Sequence, residues 1–275
     1  MRNSYRLQAA ALTAACIFAA VGCGNKTDRA SQTDVKGDKS TAPSGESAAG
    51  RKMALVRFVN GIPGDSKDLW FGDTKAFPSA AYKVVTPYKE LPGERRDFRL
   101  AMGGMSTPDA SAPKNSEGLS DGVHYTVVAA LGKDGKQKLN VIEDRLVEPG
   151  AGKTKIRVVN ASPIEVDVVA PAGMKNMSAG TADRVKPGAV ARGEVDKWFG
   201  GVNADSATNY KEMDAMNGAV NVLPAGHIKN GRQLAPAASN VPVDLAAGKL
   251  YTLVVVGSKN GSGVDVIKVE DQLVP

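Results

Sequence analysis

The residues that could carry catalysis are few and lie apart. The chain of 275 residues contains 2 histidines, His124 and His227, which fall in different halves of the sequence. Neither has a serine or an aspartate nearby in a nucleophile motif such as G-x-S-x-G. His124 stands at the start of a predicted strand whose counterpart begins with Leu250. We therefore predict a structural or surface role for His124, and we predict no catalytic residues.

Three aspartates near the start of the first predicted domain could bind a cation. Asp65, Asp68 and Asp73 could provide oxygen ligands for Ca²⁺, but they lack the spacing of a calcium-binding loop. Solvation of turns and strand edges is the expected use of these side chains. No metal site is predicted.

Two pairs of adjacent acids could support acid–base catalysis, and they occur at the ends of similar segments. They are Glu143 with Asp144 and Glu270 with Asp271. Duplicated acids at strand ends are more typical of turn caps, or of partners for a basic residue such as Arg145, than of catalytic pairs. We therefore assign them to the repeated fold unit.

A glycine-rich segment offers a weak signal of phosphate binding. Residues 150–154 (GAGKT) match the end of a P-loop, but the first glycine of that pattern would stand at position 147, which is Val147. The segment also precedes a predicted strand, whereas a P-loop opens a helix. It is interpreted as an interdomain linker, and no cofactor is predicted.

Two aromatic pairs beside glycine could stack on a sugar. Trp70-Phe71-Gly72 and Trp198-Phe199-Gly200 have the composition of a carbohydrate-stacking platform. However, the two fall at different places when the halves of the chain are aligned, and no other aromatics cluster near them in sequence. We expect each to anchor a small β core.

The N-terminus has the pattern of an export signal. Arg2 and Arg6 form a basic segment, residues 9–21 are apolar, and Ala20-Val21-Gly22-Cys23 resembles the lipobox of bacterial lipoproteins. These features predict a signal peptide over 1–22, lipidation at Cys23, and a flexible tether over 23–52 that is rich in Ser, Thr, Gly, Ala, Asp and Lys. The expected location is extracytoplasmic, lipid-anchored to the cell envelope, and in the outer membrane if the host is Gram-negative.

The overall composition excludes some partner classes. Without Arg2 and Arg6, 33 Lys and Arg face 29 Asp and Glu, a net charge of +4, and the two signs are interleaved. Such a balance does not favour nucleic acid. Of the 2 cysteines, Cys16 would be removed with the signal peptide and Cys23 would carry the lipid, so no disulfide, thiolate metal site or cysteine nucleophile is expected.

The remainder of the chain predicts an all-β protein made of two tandem units. Val56-Arg57-Phe58-Val59-Asn60 recurs as Ile156-Arg157-Val158-Val159-Asn160, and in both the alternation indicates a half-buried strand with the arginine on the other face. That outer face is interpreted as solvated, while a recurring ion pair is the alternative. The expected boundaries are 53–149 and 153–275.

Further blocks repeat at constant spacing. Phe77 is followed eleven positions later by Tyr88-Lys89-Glu90, as Phe199 is followed by Tyr210-Lys211-Glu212. Residues 125–131 (YTVVAAL) and 251–256 (YTLVVV) are apolar on both faces, which predicts central strands. Asp134-Gly135 and Asn260-Gly261 then predict type I′ hairpin turns before the returning strands 139–143 and 264–270.

The two units differ in their expected loops. The offset between equivalent blocks grows along the chain, which predicts insertions in the second unit at residues 172–192 and 223–241. The first unit has its own predicted excursion over 102–121. Long loops on a β scaffold either carry binding sites or are tolerated drift, and both alternatives stay open.

These blocks together resemble a known family. The V-R-V-V-N-A-S-P stretch followed by V-D-V, the Y-T-V-V strand and the terminal V-E-D resemble the bacterial domain-of-unknown-function family numbered 4397. The resemblance spans 53–275 and is closest at 156–169 and 125–144. It implies an immunoglobulin-like or transthyretin-like β-sandwich that is extracytoplasmic and often lipid-anchored. The family's usual His is Asn160 here, so no role of that His carries over.

The sequence therefore leads to a non-enzymatic expectation. We expect a surface or periplasmic module that binds an envelope protein or glycan, attached to the membrane through its lipid. The alternative is a structural spacer or scaffold without a specific ligand, and a hydrolase is a third possibility.

Overall fold

The computed structural model describes residues 52–170, 196–229, 232–233, 235–259 and 263–272. Throughout these ranges the regular secondary structure consists of β-strands, so the all-β prediction is confirmed. All the described ranges belong to the same compact part of the chain. Several predictions concern residues outside the described ranges. They are the signal peptide, Cys23, residues 23–51 of the tether, the loop 172–192 and the Asn260-Gly261 turn.

The strands form two successive sets. The first set, called the first unit, contains β1 (Met53–Asn60), β2 (Lys67–Phe71), β3 (Thr74–Ala80), β4 (Lys89–Pro92), β5 (Arg95–Met102), β6 (Lys114–Gly118), β7 (His124–Leu131) and β8 (Gln137–Asp144). The second unit contains β9 (Lys153–Asn160), β10 (Val166–Ala170), β11 (Asp196–Val202), β12 (Ser206–Ala207), β13 (Lys211–Asp214), β14 (Ala219–Pro224), β15 (Ile228–Lys229), β16 (Arg232–Gln233), β17 (Ala238–Pro242), β18 (Leu250–Gly257) and β19 (Val264–Asp271).

Both units have the same strand pairing. The first unit has one sheet in the order β4-β1-β7-β8 and another in the order β3-β2-β5-β6. In the second unit the corresponding orders are β12-β9-β18-β19, with β13 also on β9, and β11-β10-β14-β17. β1 runs antiparallel to β4 and parallel to β7, just as β9 runs antiparallel to β13 and parallel to β18. Two β-sandwich units are therefore present, as predicted.

The registers place the repeated sequence blocks at equivalent positions. Leu69 pairs with Phe77 where Val168 pairs with Phe199. Val56 pairs with Lys89, as Ile156 pairs with Lys211 at the start of the matching edge strand. Trp70 lies in β2 and Trp198 in β11, so the two tryptophan motifs are not equivalent.

Each unit has its own core between its two sheets, and a third core lies between the units. The alternation in β1 directs Val56 and Phe58 into the first core and Val59 to the opposite face. That opposite face is buried against the equivalent face of the second unit. The third core contains Val59, Val128, Ala130, Val159, Ala161, Val254, Val256, Ile267 and Val269. The sheets that contain β1 and β9 are therefore covered on both sides.

A buried asparagine ends the first strand of each unit and ties it to the other sheet of the same sandwich. Asn60 donates its amide to the carbonyl of Ala80 at 2.8 Å and accepts from the N–H of Ile62 at 3.0 Å. Asn160 makes more bonds: its amide donates to the carbonyls of Ile164 and Val202, both at 2.8 Å. Its side-chain oxygen also accepts from the backbone N–H and the hydroxyl of Ser162. Both asparagines thus have structural roles.

The hairpin turn after β7 differs from the predicted type. A type I′ turn needs positive φ at both central residues. Gly135 has φ of 73°, but Asp134 is not among the residues with positive φ. Instead the Gly135 N–H bonds the Gly132 carbonyl at 3.0 Å, and the Asp134 carboxylate accepts from the Lys136 N–H at 3.0 Å. The type I′ prediction is wrong here because a single left-handed glycine closes the turn.

Two regions predicted as loops contain strands. β6 lies within 102–121 and pairs with β5, while 223–241 contains the end of β14, the short β15 and β16, and most of β17. Leu223 itself is fully buried. Deleting 223–241 would therefore remove part of a sheet, so the expectation that this segment is a loop is wrong for most of its length.

We expect Gly61→Ala to lower the free energy of unfolding by about 1–3 kcal/mol, because overpacking forces a well-packed core to shift. A methyl group at Gly61 would overlap Cγ1 of Val256 from the second unit and lie 2.8 Å from the carbonyl oxygen of Ala129. Adding Val256→Ala should recover part of the loss. Denaturant unfolding measures both effects.

Gly118→Ala is the matched control for this substitution. Gly118 also lies in a strand of the first unit, but a methyl group there would meet nothing closer than 4.0 Å. Its unfolding midpoint should stay near that of the parent chain. Equal losses from both glycine variants would contradict close packing between the units at Gly61.

Candidate functional site

The two repeated arginines are buried, contrary to the prediction of a solvated strand face. The side chains of Arg57 and Arg157 are 2% and 3% exposed. Both lie on the strand faces that turn toward the other unit. The alternative, a recurring ion pair, is what the structure shows.

Arg57 contacts residues of both units. Its Nε donates to the hydroxyl of Thr126 on β7 at 2.8 Å, and its Nη2 donates to the carboxylate of Asp271 at the end of β19. Its guanidinium carbon lies 4.9 Å from the centre of the Tyr88 ring, within the range of a cation–π interaction. The arginine of the first unit is therefore neutralised by an aspartate of the second.

Arg157 repeats this arrangement in the opposite direction. Its Nε donates to the hydroxyl of Thr252 at 2.9 Å, and its Nη2 donates to the carboxylate of Asp144 at the end of β8. Its guanidinium carbon lies 4.8 Å from the centre of the Tyr210 ring. The two ion pairs are reciprocal, because each unit provides an arginine to the other unit's aspartate.

Hydroxyl groups complete the coordination of both aspartates. Asp144 accepts from Thr126 at 2.6 Å and from Tyr88 at 2.7 Å, while Asp271 accepts from Thr252 at 2.7 Å and from Tyr210 at 2.8 Å. These side chains are called the junction cluster. Its members are Arg57, Tyr88, Thr126, Asp144, Arg157, Tyr210, Thr252 and Asp271.

The electrostatics of the junction cluster favour a fixed, charged network. Burial lowers the pKa of Arg57, but Asp271, Tyr88 and Asp144 outweigh it and leave that pKa raised. For Arg157 the opposing groups are Asp144, Tyr210 and Asp271, with the same net direction. Each carboxylate accepts three hydrogen bonds, so the cluster links the two units through buried, mutually paired groups.

Alkaline pH should destabilise the fold through the buried tyrosines. Burial, followed by the Asp144 charge, raises the pKa of Tyr88; burial, followed by Asp271, raises that of Tyr210. The unfolded chain loses its tyrosine protons near pH 10, whereas the folded chain keeps these two. Their contribution to stability is therefore complete below about pH 10 and is lost as pH rises toward the folded pKa values.

Ultraviolet absorbance of the phenolate measures this effect. In the folded chain, part of the tyrosine absorbance change should appear only together with unfolding, and in denaturant all tyrosines should titrate as one group. Tyr88→Phe should reduce the late portion. A folded chain whose tyrosines all ionise near pH 10 would contradict the arrangement.

Two outer ion pairs flank the junction with inverted charge. Lys83 in the first unit pairs with Asp265 on β19 at 3.0 Å. At the equivalent corner Asp205 in the second unit pairs with Lys138 on β8. Lys83 and Asp205 are equivalent, because each has positive φ and each donates its N–H to the carbonyl of the strand-ending asparagine. If two first units paired in this way, Lys83 would face Lys138, and in a pair of second units Asp205 would face Asp265. These contacts therefore favour pairing of a first unit with a second unit.

Two open grooves lie at the ends of the junction cluster. The first, called the Arg157 groove, has a volume of about 520 Å³ and is lined by Glu143, Arg145, Val147, Lys155, Arg157, Ala207, Thr208, Asn209 and Tyr210. The second, called the Arg57 groove, has a volume of about 340 Å³ and is lined by Arg57, Val85, Thr86, Pro87, Tyr88, Lys268, Val269, Glu270 and Gln272. Each groove lies between one unit and the last strand of the other.

The two histidines lie in different units. His124 is half-buried and meets the Tyr88 ring edge-on at 5.0 Å between ring centres. Burial lowers the pKa of His124 despite the opposing effect of Asp144. His227 follows β14 in a turn. His124 thus packs against the ring of a junction tyrosine, and the structural or surface role expected for it stays a prediction.

The three candidate calcium ligands are not brought together. Asp68 is fully buried, where its carboxylate accepts from the N–H groups of Ser79 and Gly104 and pairs with Lys75 at 2.6 Å. Asp73 is exposed and pairs with Arg99 at 3.0 Å. Asp65 is exposed. Across the described part of the chain, His, Cys, Asp and Glu form no group of three that could hold a metal ion.

The remaining predicted motifs have structural placements. Trp70 and Trp198 are 7% and 5% exposed, as expected of core anchors. Residues 150–152 form the turn before β9, where Gly152 has φ of 72°. Of the acidic pairs, Glu143 meets Arg145 at 3.1 Å, while Asp144 and Asp271 bind the opposite unit's arginine and do not cap a turn. No helix in the described ranges is long and apolar enough to cross a membrane.

Part of the chain matches the model of one protein family. Residues 54–169 match the family model described as "Domain of unknown function (DUF4397)". The matched range covers the first unit together with β9 and most of β10, and it includes five members of the junction cluster, Arg57, Tyr88, Thr126, Asp144 and Arg157. The DUF4397 match therefore contains one complete reciprocal ion pair, Arg157 with Asp144.

The other comparisons are distant. A solved structure from Bacteroides uniformis, provisionally described as a cell adhesion protein, has 13% sequence identity and a TM-score of 0.20. The alignment covers 83% of this chain and 100% of that one. No curated protein matches the chain.

Proposed function

We propose that the chain is a non-enzymatic lipoprotein of the cell envelope that binds an envelope protein or glycan. In this proposal residues 1–22 are a signal peptide, Cys23 carries the lipid, and 23–52 tether the folded part to the membrane. The two units, 53–149 and 153–275, are tandem copies of the DUF4397 domain. The matching strand registers of β1 with β7 and β9 with β18 support the second copy.

The junction between the units is the observation that carries this proposal. Its charged side chains are buried and satisfied by one another, so they serve to fix one unit on the other. Fixing them together holds two open grooves at constant geometry on the outside of the molecule. Preformed grooves on a rigid body suit binding, because little conformational freedom is lost when a ligand associates.

Saturable binding to envelopes tests the proposed function. The chain with Cys23→Ser, which cannot be lipidated, should bind isolated envelope fractions saturably, and unlabelled chain should compete with it. Absence of saturable binding would refute the binding function. A panel of hydrolase substrates should show no turnover above buffer.

The alternative is a spacer or scaffold, which the rigid junction also favours. A spacer needs the anchor but no ligand, so it predicts envelope association that disappears entirely with Cys23→Ser. Lipidation itself is tested by washing membranes from cells with high salt. Under either function the parent chain should stay with the washed membranes until detergent is added, whereas Cys23→Ser should be released. Retention of the variant on washed membranes until detergent is added would refute lipidation.

A further inference from the structure

The two grooves are equivalent by fold but differ in chemistry. Arg157, Tyr210 and Thr208 in one correspond to Arg57, Tyr88 and Thr86 in the other. The threonine pair shows the equivalence, since Thr208 accepts from the N–H of Val158 at 3.0 Å and Thr86 from that of Phe58 at 2.9 Å. Residues shared by both grooves are explained by the repeated fold. Residues found in one groove alone need another explanation.

Three residues give the Arg157 groove a cation or an amide that the Arg57 groove lacks, while Lys268 of the Arg57 groove has Val141 as its counterpart. The registers Tyr125 with Glu143 and Tyr251 with Glu270 place Arg145 opposite the position of Gln272. The registers of β1 and β9 align Lys155 with Leu55. Asn209 aligns with Pro87, because each directly precedes a junction-cluster tyrosine, Tyr210 or Tyr88. The Arg157 groove thus gains two cations and an amide, and it is the larger of the two.

Arg145 and Asn209 are exposed, and Lys155 is half-buried. The Arg145 side chain is 78% exposed, and its one ion pair in the described part of the chain joins its Nε to Glu143 at 3.1 Å. Lys155 donates to the carbonyls of Val147 and Glu148 and has no carboxylate partner among the described residues. Asn209 is exposed. The net charge of each groove includes the aspartate that pairs with its arginine, Asp144 for Arg157 and Asp271 for Arg57. On this basis the Arg157 groove carries one net positive charge, whereas the Arg57 groove is neutral.

We propose that the Arg157 groove binds a carboxylate-bearing glycan, with Arg145 and Lys155 meeting the uronic-acid carboxylate. This proposal rests on the proposed binding function and specifies its ligand. The guanidinium fork matches a carboxylate geometrically. Asn209 and Glu143 provide a donor–acceptor amide and an acceptor for sugar hydroxyl groups.

Other ligand classes fit this groove less well. Glu143 lies beside the cations and would repel a densely charged polyphosphate or nucleic acid. An acidic peptide is recognised either by a cluster of arginines or, along a strand edge, by apolar pockets for alternate side chains. Of the two arginines in this groove, Arg157 is already paired with Asp144 in the junction cluster. In this groove Val147, 60% exposed, is the large apolar residue that solvent reaches. A hydroxyl-rich chain with sparse carboxylates is the class that remains.

Binding of oligogalacturonate to the full mature chain with Cys23→Ser tests this inference. Calorimetry should detect binding that disappears when the carboxylates are methyl-esterified. In the same background, Arg145→Gln, which copies the residue at Gln272, should weaken binding by about tenfold or more. Arg145 is exposed, so this variant should keep the parent unfolding midpoint.

Lys268→Gln in the Arg57 groove is the matched control, since it removes an exposed cation from the equivalent groove and should leave galacturonate binding unchanged. The inference is overturned by absent binding, by equal binding of the methyl ester or of oligoglutamate, or by Arg145→Gln binding as tightly as the parent. In those cases saturable binding to envelopes would still support the proposed function, whereas loss of envelope binding would refute that function separately.

Discussion

Replacing Arg157 with methionine is expected to lower the free energy of unfolding by about 3 kcal/mol, because removal of one partner leaves a buried charge with only a longer ion pair to compensate it. The charge left behind is the Asp144 carboxylate, whose side chain is 0% exposed. Its other donors are the neutral hydroxyls of Thr126 and Tyr88, while Arg57 is 3.8 Å away. Urea unfolding of the variant and the parent chain measures the difference.

A double-mutant cycle identifies the source of this loss. Combining Arg157→Met with Asp144→Leu removes both charges, so the double variant should be more stable than the sum of the single losses by about 1–3 kcal/mol. Arg57→Met with Asp271→Leu should behave similarly. Arg157→Met with Asp271→Leu removes charges that belong to different ion pairs and should show weaker coupling.

Arg145, which follows Asp144 in the sequence, provides the control for the cycle. Arg145 and Glu143 form an ion pair that is exposed at both ends, 78% and 47%. Removal of Arg145 should therefore cost less than about 1 kcal/mol. If Arg157→Met cost no more than Arg145→Met, the reciprocal ion pairs would not stabilise the junction.

The central strands could be predicted because their sequences carry two independent signals. In β1 and β9 the alternation of apolar residues sets the face toward the unit's own core, and in β7 and β18 apolar residues on both faces indicate a strand covered twice. The second cover of β7 is the other unit. The second unit also buries the outer face of the neighbouring strand β1, although the sequence places a polar residue, Arg57, on that face.

The burial of Arg57 and Arg157 could not be predicted from alternation. Period-2 patterning separates two faces, but it does not say whether water or protein lies against the polar face. Every member of the junction cluster nevertheless falls in a repeated sequence block, and the repetition of both arginine and aspartate was the available signal. Its meaning depends on a contact between residues 214 positions apart, Arg57 and Asp271, that no local pattern encodes.

The outer strands were missed for a different reason. β6 has the sequence KNSEG and β17 has ASNVP, and both lie at sheet edges. Edge strands are often short and polar, which disfavours pairing with other molecules. Their sequences therefore resemble those of loops, and only their pairing with β5 and β14 identifies them as strands.

Replacing Asn160 with alanine is expected to lower the free energy of unfolding by about 3 kcal/mol, because unsatisfied buried polar groups cost about 1–3 kcal/mol each. The variant would leave the carbonyls of Ile164 and Val202 and the N–H of Ser162 without this partner. Asn60→Ala should cost less, since Asn60 makes two such bonds where Asn160 makes four. Denaturant unfolding of the two variants ranks them.

Asn160→Asp tests whether the amide donors are responsible. The aspartate keeps the shape of asparagine but presents a carboxylate to the two carbonyls that Asn160 now donates to. Its folded-state pKa should be raised, because the buried site disfavours the charged form. The variant should therefore be least stable near neutral pH and regain stability as the pH falls through that raised pKa. Asn209→Ala, at an exposed asparagine, should stay near the parent; a loss at Asn209 equal to that at Asn160 would mean that the ties between the sheets do not stabilise the fold.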